Sequence, residues 1–155
     1  MEFITMSNFL KIRKFNNDEQ DRVRCLILEG LGEHFGYIDE TCNPDIDDID
    51  ANYTKKGYLF IVAYLNSELV GTGALIIESR EVVRLVRMSV SKLYRKKGIG
   101  KSIVEHLIRE AESVGYKRIV LSTEVNWHAA ISLYESCGFK EYDRNTVDVN
   151  MYKNL

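Results

Sequence analysis

The chain has 155 residues, the length of one ordinary domain, and its 45% hydrophobic and 28% charged residues are typical of a globular protein. A formal net charge of -2 argues against a general nucleic-acid binder, and the sequence shows neither a membrane-spanning apolar run nor a signal-peptide pattern. Three widely spaced cysteines without a metal-binding pattern indicate reduced thiols, so we expect one cytoplasmic domain over residues 1–155, without metal, membrane or nucleic-acid partners.

The chain is predicted to begin with a strand and a helix. Residues 9–15 alternate apolar and basic side chains, which is typical of a strand. Asn17 or Asp18 can cap the helix that follows, and Gly32 or Gly36 can end it. The acidic segment at residues 37–53 is predicted to be a loop with a short helix that begins at Pro44.

An antiparallel meander is predicted next. Its three strands, rich in β-branched and aromatic residues and separated by turn residues, are residues 58–65, residues 68–78 and Val82–Val90. Gly71 and Gly73 lie inside the second of these strands, which indicates either a bulge or close packing against a neighbouring element.

The second half alternates helices and strands. Ile99–Val114 is predicted to be a strongly amphipathic helix that ends at Gly115. Asn126 can cap a further helix that runs to Ser136. The remaining strands are predicted at residues 118–122, 139–143 and 147–152. The order β-α-α-β-β-β-α-β-α-β-β predicts an α/β (α+β) fold, with a mixed, mostly antiparallel sheet and helices on both faces.

The junction between the third meander strand and the amphipathic helix is a candidate anion site. A helix start presents unpaired backbone N–H groups and a partial positive charge. Gly98 and Gly100 lack side chains, so a phosphate can approach those amides closely. Four cationic side chains surround them: Arg95, Lys96, Lys97 and Lys101. Together these features predict a pyrophosphate site.

Two other interpretations of this junction have to be weighed. Gly100-Lys101-Ser102 matches the end of a nucleotide-binding Walker loop, but Arg95 stands where that motif needs its first glycine. No strand supplies an obvious second Walker motif, and the Gly-x-Gly-x-x-Gly pattern of dinucleotide folds is missing. Taken alone, the loop is equally compatible with a basic turn that merely starts a helix.

A second motif decides between these interpretations. Val86-Arg87-Met88-Ser89-Val90 followed by Arg95-Lys96-Lys97-Gly98-Ile99-Gly100 resembles the cofactor motif of the GNAT superfamily of N-acetyltransferases. About thirty residues later, the stretch from Asn126 to Phe139 resembles that family's second signature: an Asn, small residues, then Leu-Tyr and Gly-Phe. The resemblance runs from Leu10 to Leu155, and its specific part is Leu85 to Phe139.

The resemblance implies direct acetyl transfer from acetyl-CoA to a primary amine within a ternary complex. It also implies a bulge in the strand Val82–Val90, which splays the sheet between its fourth and fifth strands. It implies that backbone groups of Met88, Ser89 and Val90 pair with the pantetheine arm and polarise the thioester carbonyl. It also implies that Asn126 hydrogen-bonds the cofactor arm and that Tyr134 protonates the departing thiolate. The pyrophosphate would lie against Arg95, Lys96, Lys97, Gly98, Ile99, Gly100, Lys101 and Ser102.

The residue at the position of the family's general base differs from the family pattern. Arg84 stands where many relatives carry Glu, and a guanidinium cannot accept a proton at ordinary pH. Glu81 lies three residues earlier, on the opposite face of an alternating strand. Other candidates are Glu33, His34, Glu78 and Glu124, and a water-mediated route is also open.

The acceptor and the partners are left open by the sequence. Carboxylates near the cleft suit a cationic amine on a small molecule or peptide, whereas Arg84 and Arg87 suit an acceptor with a carboxylate. Trp127 and His128 either cover the cofactor or pack. An exposed closing strand makes a homodimer possible. The missing Glu favours one further hypothesis, a CoA-binding sensor or interaction protein that has lost catalysis.

Overall fold

The computed structural model describes residues 10–36 and 43–155. Among them, seven strands form one sheet: β1 (Leu10–Lys14), β2 (Leu59–Leu65), β3 (Glu68–Ile77), β4 (Val82–Val90), β5 (Arg118–Glu124), β6 (Lys140–Arg144) and β7 (Asp148–Asn154). Three α-helices accompany the sheet: α1 (Gln20–Phe35), α2 (Ile99–Val114) and α3 (His128–Ser136). Short helical turns occupy Asn17–Glu19, Pro44–Asp47, Asp50–Thr54 and Lys92–Tyr94. The first part of the predicted acidic loop, residues 37–42, lies outside the described residues.

The observed cap lies at Asn16, one residue before the predicted positions, and it caps the short turn that leads into α1. The backbone amide of Asn16 donates to the Glu19 carboxylate at 2.8 Å, as in a capping box, and Asn17 and Asp18 lie within the short turn that follows. The Glu19 carboxylate is buried and also accepts hydrogen bonds from the Arg13 guanidinium, which anchors the helix to β1. Gly36 ends α1 with a φ of 83°, as predicted for a glycine at a helix end.

The sheet order is β1-β2-β3-β4-β5-β7-β6, and every neighbouring pair is antiparallel except β4 and β5. The predicted mixed, mostly antiparallel sheet is therefore confirmed. β4 and β5 pair only over Val82–Arg84 and Arg118–Val120. Beyond this short ladder, β4 continues its pairing with β3, while β5 continues its pairing with β7. The two strands therefore diverge, as expected, and leave an opening between them.

A bulge in β4 lies where this divergence begins. Thr72 pairs with Ser89 and Ala74 pairs with Val86, so two residues of β4, Arg87 and Met88, oppose the single residue between them in β3. Arg87 has a φ of 56°, and the Thr72 hydroxyl donates to its carbonyl at 2.8 Å. An extra residue reverses the in-and-out alternation of the strand beyond it.

Helices cover both faces of the sheet, as predicted. One hydrophobic cluster places Ile103 and Leu107 of α2 against strand residues, and a second places Val23 and Ile27 of α1 against the other face. The glycines of β3 permit the close approach of α2. A Cβ on Gly71 would lie 2.6 Å from the Ile103 Cδ1 atom, so close packing explains this glycine.

The helix α3 begins at His128, and Trp127 rather than Asn126 occupies the position before it, without a side-chain cap. The prediction that Asn126 caps this helix is therefore wrong, because Asn126 lies one residue further away, in the preceding turn. None of the helices in residues 10–36 and 43–155 combines the length and apolar character required to span a membrane.

Candidate functional site

A cleft of about 1210 Å³ lies where β4 and β5 diverge. One wall is α1 with the segment around Asp45 and Tyr53, and the opposite wall is the first turns of α2 and α3. The lining includes Met88, Ser89 and Val90 at the end of β4, three of the predicted cofactor-binding residues. The cleft therefore combines a strand edge, a helix start and the second sequence motif in one space.

The start of α2 offers backbone amides to this cleft. Gly98 precedes the helix with a φ of 82°, and no side chain caps the helix. The Ser102 amide donates to the Gly98 carbonyl at 3.0 Å, so it is already used within the helix. The amides of Ile99, Gly100 and Lys101 precede that first helical bond and are the ones that can meet an anion.

The basic loop is only partly turned toward the cleft. Six of its predicted anion-binding residues line the cleft: Arg95, Lys96, Gly98, Ile99, Gly100 and Lys101. Lys97 and Ser102 do not line it, although both are adjacent to residues that do. Gly100 packs against α3, since a Cβ there would lie 3.2 Å from a Leu133 methyl. The cleft is therefore lined by fewer residues than the sequence motif contains.

Arg95 connects the basic loop to α1. Its two terminal nitrogens donate to the Glu33 carboxylate at 2.9 and 3.0 Å, and its Nε donates to the Val90 carbonyl at 3.1 Å. Such a two-pronged pair fixes the plane of the guanidinium as well as its position. Arg95 thus orders the loop, and Glu33 offsets part of its charge.

The bulge decides which β4 side chains face α1. Met88 and Val90 pack with the α2 cluster, while Val86 packs with the α1 cluster. Simple alternation would place all three on one face of the strand. The bulge also turns Arg87 toward the side of α1, where it meets Asp45. The family resemblance implied a bulge in this strand, but the sequence did not locate it at Arg87, because an arginine at positive φ is not a recognisable signal.

Asp45 and Arg87 form a half-buried pair that sequence reasoning missed. The Arg87 Nε and Nη2 atoms donate to the Asp45 carboxylate at 2.9 and 2.5 Å, and the Tyr53 hydroxyl donates to it at 2.6 Å. Burial raises the pKa of Asp45, but the hydrogen bonds from Arg87 and Tyr53 outweigh it, so the pKa lies below its ordinary value. Burial, followed by the bond to Asp45, raises the pKa of Tyr53.

Arg84 also faces the α1 side of the cleft, and it does not stand alone. Its Nε donates to the Glu78 carboxylate, and its Nη1 donates to the Ser122 hydroxyl at 3.0 Å. Ser122 lies on β5, so Arg84 bridges the two strands near the point where they diverge. Both arginines that the sequence suggested for an acceptor carboxylate therefore already have carboxylate partners.

Tyr134 lies in the wall of the cleft formed by α3. It is only 7% exposed, and its ring packs edge-to-face on Phe139 with centroids 5.9 Å apart. Burial raises the pKa of Tyr134. No described residue forms a hydrogen bond with its hydroxyl. The phenol therefore stays protonated at neutral pH and has its proton available to a molecule in the cleft.

Three consecutive residues at the start of α3, Asn126, Trp127 and His128, have different surroundings. Trp127 lines the cleft, whereas Asn126 and His128 are exposed and do not line it. The Trp127 indole stacks on the His34 imidazole with centroids 3.8 Å apart and an angle of 9° between the planes. The His34 Nε2 atom also lies 3.5 Å from a carboxylate oxygen of Glu124. These contacts join α1 to the end of β5 across the cleft.

Residues 21–139 match the acetyltransferase (GNAT) family. The chain is 33% identical over 119 residues to N-acetyltransferase 8 of Rattus norvegicus, an alignment that covers 73% of this chain and 54% of the relative. It is 43% identical over 126 residues to N-acetylaspartate synthetase of Xenopus tropicalis, which covers 75% of this chain and 46% of the relative. The chain therefore spans about half the length of these curated relatives.

Solved structures agree with the family match. A GNAT-family acetyltransferase from Staphylococcus aureus superposes with a TM-score of 0.86 at 28% identity, over 94% of this chain and 99% of that one. The PaiA N-acetyltransferase of Thermoplasma acidophilum, solved in complex with coenzyme A, superposes with a TM-score of 0.83 at 20% identity, over 94% of this chain and 99% of that one. The second likeness concerns the fold alone.

Proposed function

This chain belongs to the GNAT acetyltransferase family, and from that premise we propose that it is an acetyl-CoA-dependent N-acetyltransferase. We propose direct transfer of the acetyl group to a primary amine within a ternary complex. The observation that carries the proposal is the single cleft in which the uncapped start of α2, the end of β4 and the Tyr134 hydroxyl meet. A separate covalent enzyme intermediate is not needed when donor and acceptor share one cleft.

The residues of the cleft fit a CoA molecule. A pyrophosphate needs several amide donors and positive charge, which the amides of Ile99, Gly100 and Lys101 and the side chain of Lys96 supply. The end of β4 lacks a β5 partner there, so backbone groups of Met88, Ser89 and Val90 are placed to pair with an extended ligand. Acetyl-CoA supplies the acetyl group as a thioester, and its transfer produces a thiolate that needs a proton.

The predicted site residues have different roles under this proposal. Tyr134 donates its proton to the leaving sulfur, since burial keeps the phenol protonated. A backbone N–H at the end of β4 stabilises the negative charge that develops on the carbonyl oxygen. Lys97, Ser102 and Asn126 stay predicted cofactor-binding residues, although they are outside the cleft lining and contribute only from its edges.

The acceptor is proposed to be a primary amine on a small molecule or a peptide. One relative is by name an N-acetylaspartate synthetase, so amines with carboxylates belong among the candidates. The pairing of Arg84 with Glu78 and of Arg87 with Asp45 leaves the charge of the acceptor side balanced. Cationic amines, amino acids and peptide amines therefore all have to be tested.

An acceptor screen tests the proposal. Purified protein is incubated with acetyl-CoA and a panel of these amines, and free CoA thiol is measured with time. We expect thiol release that depends on one class of amine. Calorimetry with CoA, ATP and GTP accompanies the screen, and binding of a nucleotide without binding of CoA would contradict the assignment. Binding of CoA without thiol release from any amine would favour the sensor hypothesis instead.

The cellular setting stays a prediction. A cytoplasmic location is proposed because the widely spaced cysteines fit a reducing compartment. Dimerisation is proposed through β6, which forms an edge of the sheet and exposes 54% of Tyr142. We also propose that residues 1–155 form one domain that binds neither a metal nor nucleic acid.

A further inference from the structure

The proposed reaction needs a proton acceptor that Arg84 cannot supply. A primary amine is largely protonated at neutral pH, and only its neutral form has the lone pair that attacks a thioester. The guanidinium of Arg84 stays charged at ordinary pH. The acceptor of this proton is therefore either another side chain in the cleft or water.

Among the described residues, both acidic side chains that line the cleft, Glu33 and Asp45, are bound by arginines, and so is Glu78 beside it. Glu33 is bound by Arg95, Asp45 by Arg87 and Glu78 by Arg84. A neighbouring guanidinium stabilises the ionised carboxylate and makes it a weaker base. Of the other candidates from the sequence, Glu81 does not line the cleft, and Glu124 is the carboxylate that meets His34.

His34 has a different environment. It lines the cleft, and its Nε2 atom lies 3.5 Å from a carboxylate oxygen of Glu124. A carboxylate only accepts hydrogen bonds, so a neutral imidazole that faces it carries its hydrogen on Nε2 and leaves Nδ1 free to accept a proton. This is the relation between a base and a group that orients it.

The surroundings of His34 hold it in one orientation. Trp127, from the turn before α3, stacks on one face, and Phe35 meets the ring edge-to-face at 4.8 Å. The charged groups that face this region are Glu124 of β5 on one side and the Glu33–Arg95 pair on the other. The imidazole is 17% exposed, so it contacts the cleft and can still pass a proton to solvent.

We propose that His34 is the general base of the acetyl transfer and that Glu124 is its positioning residue. This inference rests on the proposed function. The N–H bond of the acceptor ammonium breaks, its proton moves to the Nδ1 atom of His34, and the electron pair stays on the amine nitrogen. The imidazolium is stabilised by the Glu124 carboxylate and then releases the proton to solvent. After the attack, the nitrogen loses a second proton as the amide forms, and one proton returns to Tyr134 to replace the one that it gives to the leaving sulfur, which restores the starting state.

The test uses the full chain with saturating acetyl-CoA and the best amine from the screen. His34→Gln removes the base, and His34→Phe removes the base while it keeps an aromatic ring on Trp127. His128→Gln is the matched control, because His128 is exposed and outside the cleft lining. The rate of thiol release is measured between about pH 5 and 9, a range that includes the ordinary titration of histidine.

We expect both His34 variants to lose about 100-fold in kcat, at the lower end of the usual range for a general base. The fall in rate toward acid pH that reports the base should disappear in both, while CoA affinity and the His128→Gln profile stay unchanged. Glu124→Gln should lower kcat less than the His34 variants do and leave CoA affinity unchanged, because the imidazole loses the group that orients it while the cofactor site stays intact.

Three results would overturn the inference. An unchanged rate and pH profile in both His34 variants would remove His34 as the base. A normal rate in His34→Phe together with a low rate in His34→Gln would show that the ring only packs on Trp127. Absence of thiol release by the unaltered protein would overturn the proposed function and, with it, the role of His34.

Discussion

Arg95, in the loop before α2, is bound through two nitrogens to Glu33, near the end of α1, at 2.9 and 3.0 Å. The two residues lie 62 positions apart in the sequence. The pair brings a negative charge to the rim of a site that is proposed to bind a pyrophosphate. It therefore adjusts the charge of that site as well as holding the loop to the helix.

Substitutions of Glu33 and of Arg95 should change the affinity for CoA in opposite directions. Glu33→Gln should bind CoA about two- to fivefold more tightly at low salt, because it removes a negative charge near the phosphates. The gain is small because an exposed charge interaction contributes less than about 1 kcal/mol. Arg95→Gln should bind it more weakly, because positive charge and the anchor are both lost. Calorimetry at two salt concentrations measures both, with exposed Glu29→Gln on the same helix as the control. Weaker binding in Glu33→Gln would show that the anchor outweighs the charge.

A second prediction concerns Gly100, whose amide is proposed to meet the pyrophosphate. Gly100→Asp should weaken CoA binding about 100-fold, because a carboxylate a few ångströms from the phosphates repels them. Gly100→Ala separates charge from bulk, since its Cβ would lie 3.2 Å from Leu133 and disturb only local packing. Equilibrium binding is measured together with thermal unfolding. Equal losses in the two variants would show that packing, and not charge, is responsible.

A third prediction concerns Tyr134 as the proton donor. Tyr134→Phe should lower kcat by about 10²-fold with little change in CoA affinity, because only the hydroxyl is removed. Burial raises the pKa of the phenol, so tyrosine ionisation should not reduce the rate up to about pH 10. Tyr142→Phe, on exposed β6, is the control. Unchanged turnover in Tyr134→Phe would exclude the acid role.

A fourth prediction concerns stability and the Asp45–Arg87 pair. Asp45→Asn should lower the free energy of unfolding by about 2 kcal/mol at pH 7, because it leaves a largely buried guanidinium without its carboxylate. Urea unfolding measures the loss, and exposed Asp143→Asn on β6 should change the free energy of unfolding by less than about 0.5 kcal/mol.

The pH dependence of this pair has a definite sign. The folded-state pKa of Asp45 is below its ordinary value, so the pair stabilises the protein fully above the unfolded pKa of about 3.9. The stabilisation is lost as the pH falls through the folded-state pKa. The difference between the protein and Asp45→Asn should therefore shrink at acid pH. A difference that is constant down to pH 2 would exclude the charge as its cause.

Local patterns in the sequence were sufficient for most elements. The helix Ile99–Val114 was predicted with its observed ends, because an apolar stripe and a terminal glycine are properties of the helix itself. The same holds for β4, for the two family motifs and for the fold class that they imply. The observed cap is Asn16, at the turn that leads into α1, and not the predicted Asn17 or Asp18. The choice among these neighbouring polar residues depends on the buried partners of Glu19.

The geometry of the site was decided by contacts between distant segments. The family resemblance implied a bulge in β4, but its position at Arg87 has no local signal. The same is true of the pairing of Arg87 with Asp45 and of the contact between His34 and Glu124, 90 residues apart. The sequence alone predicted an anion-binding loop at the start of α2. Only the tertiary structure decided which of its amides and cations reach the cleft, because the Ser102 amide is used inside the helix and Arg95 is bound to α1.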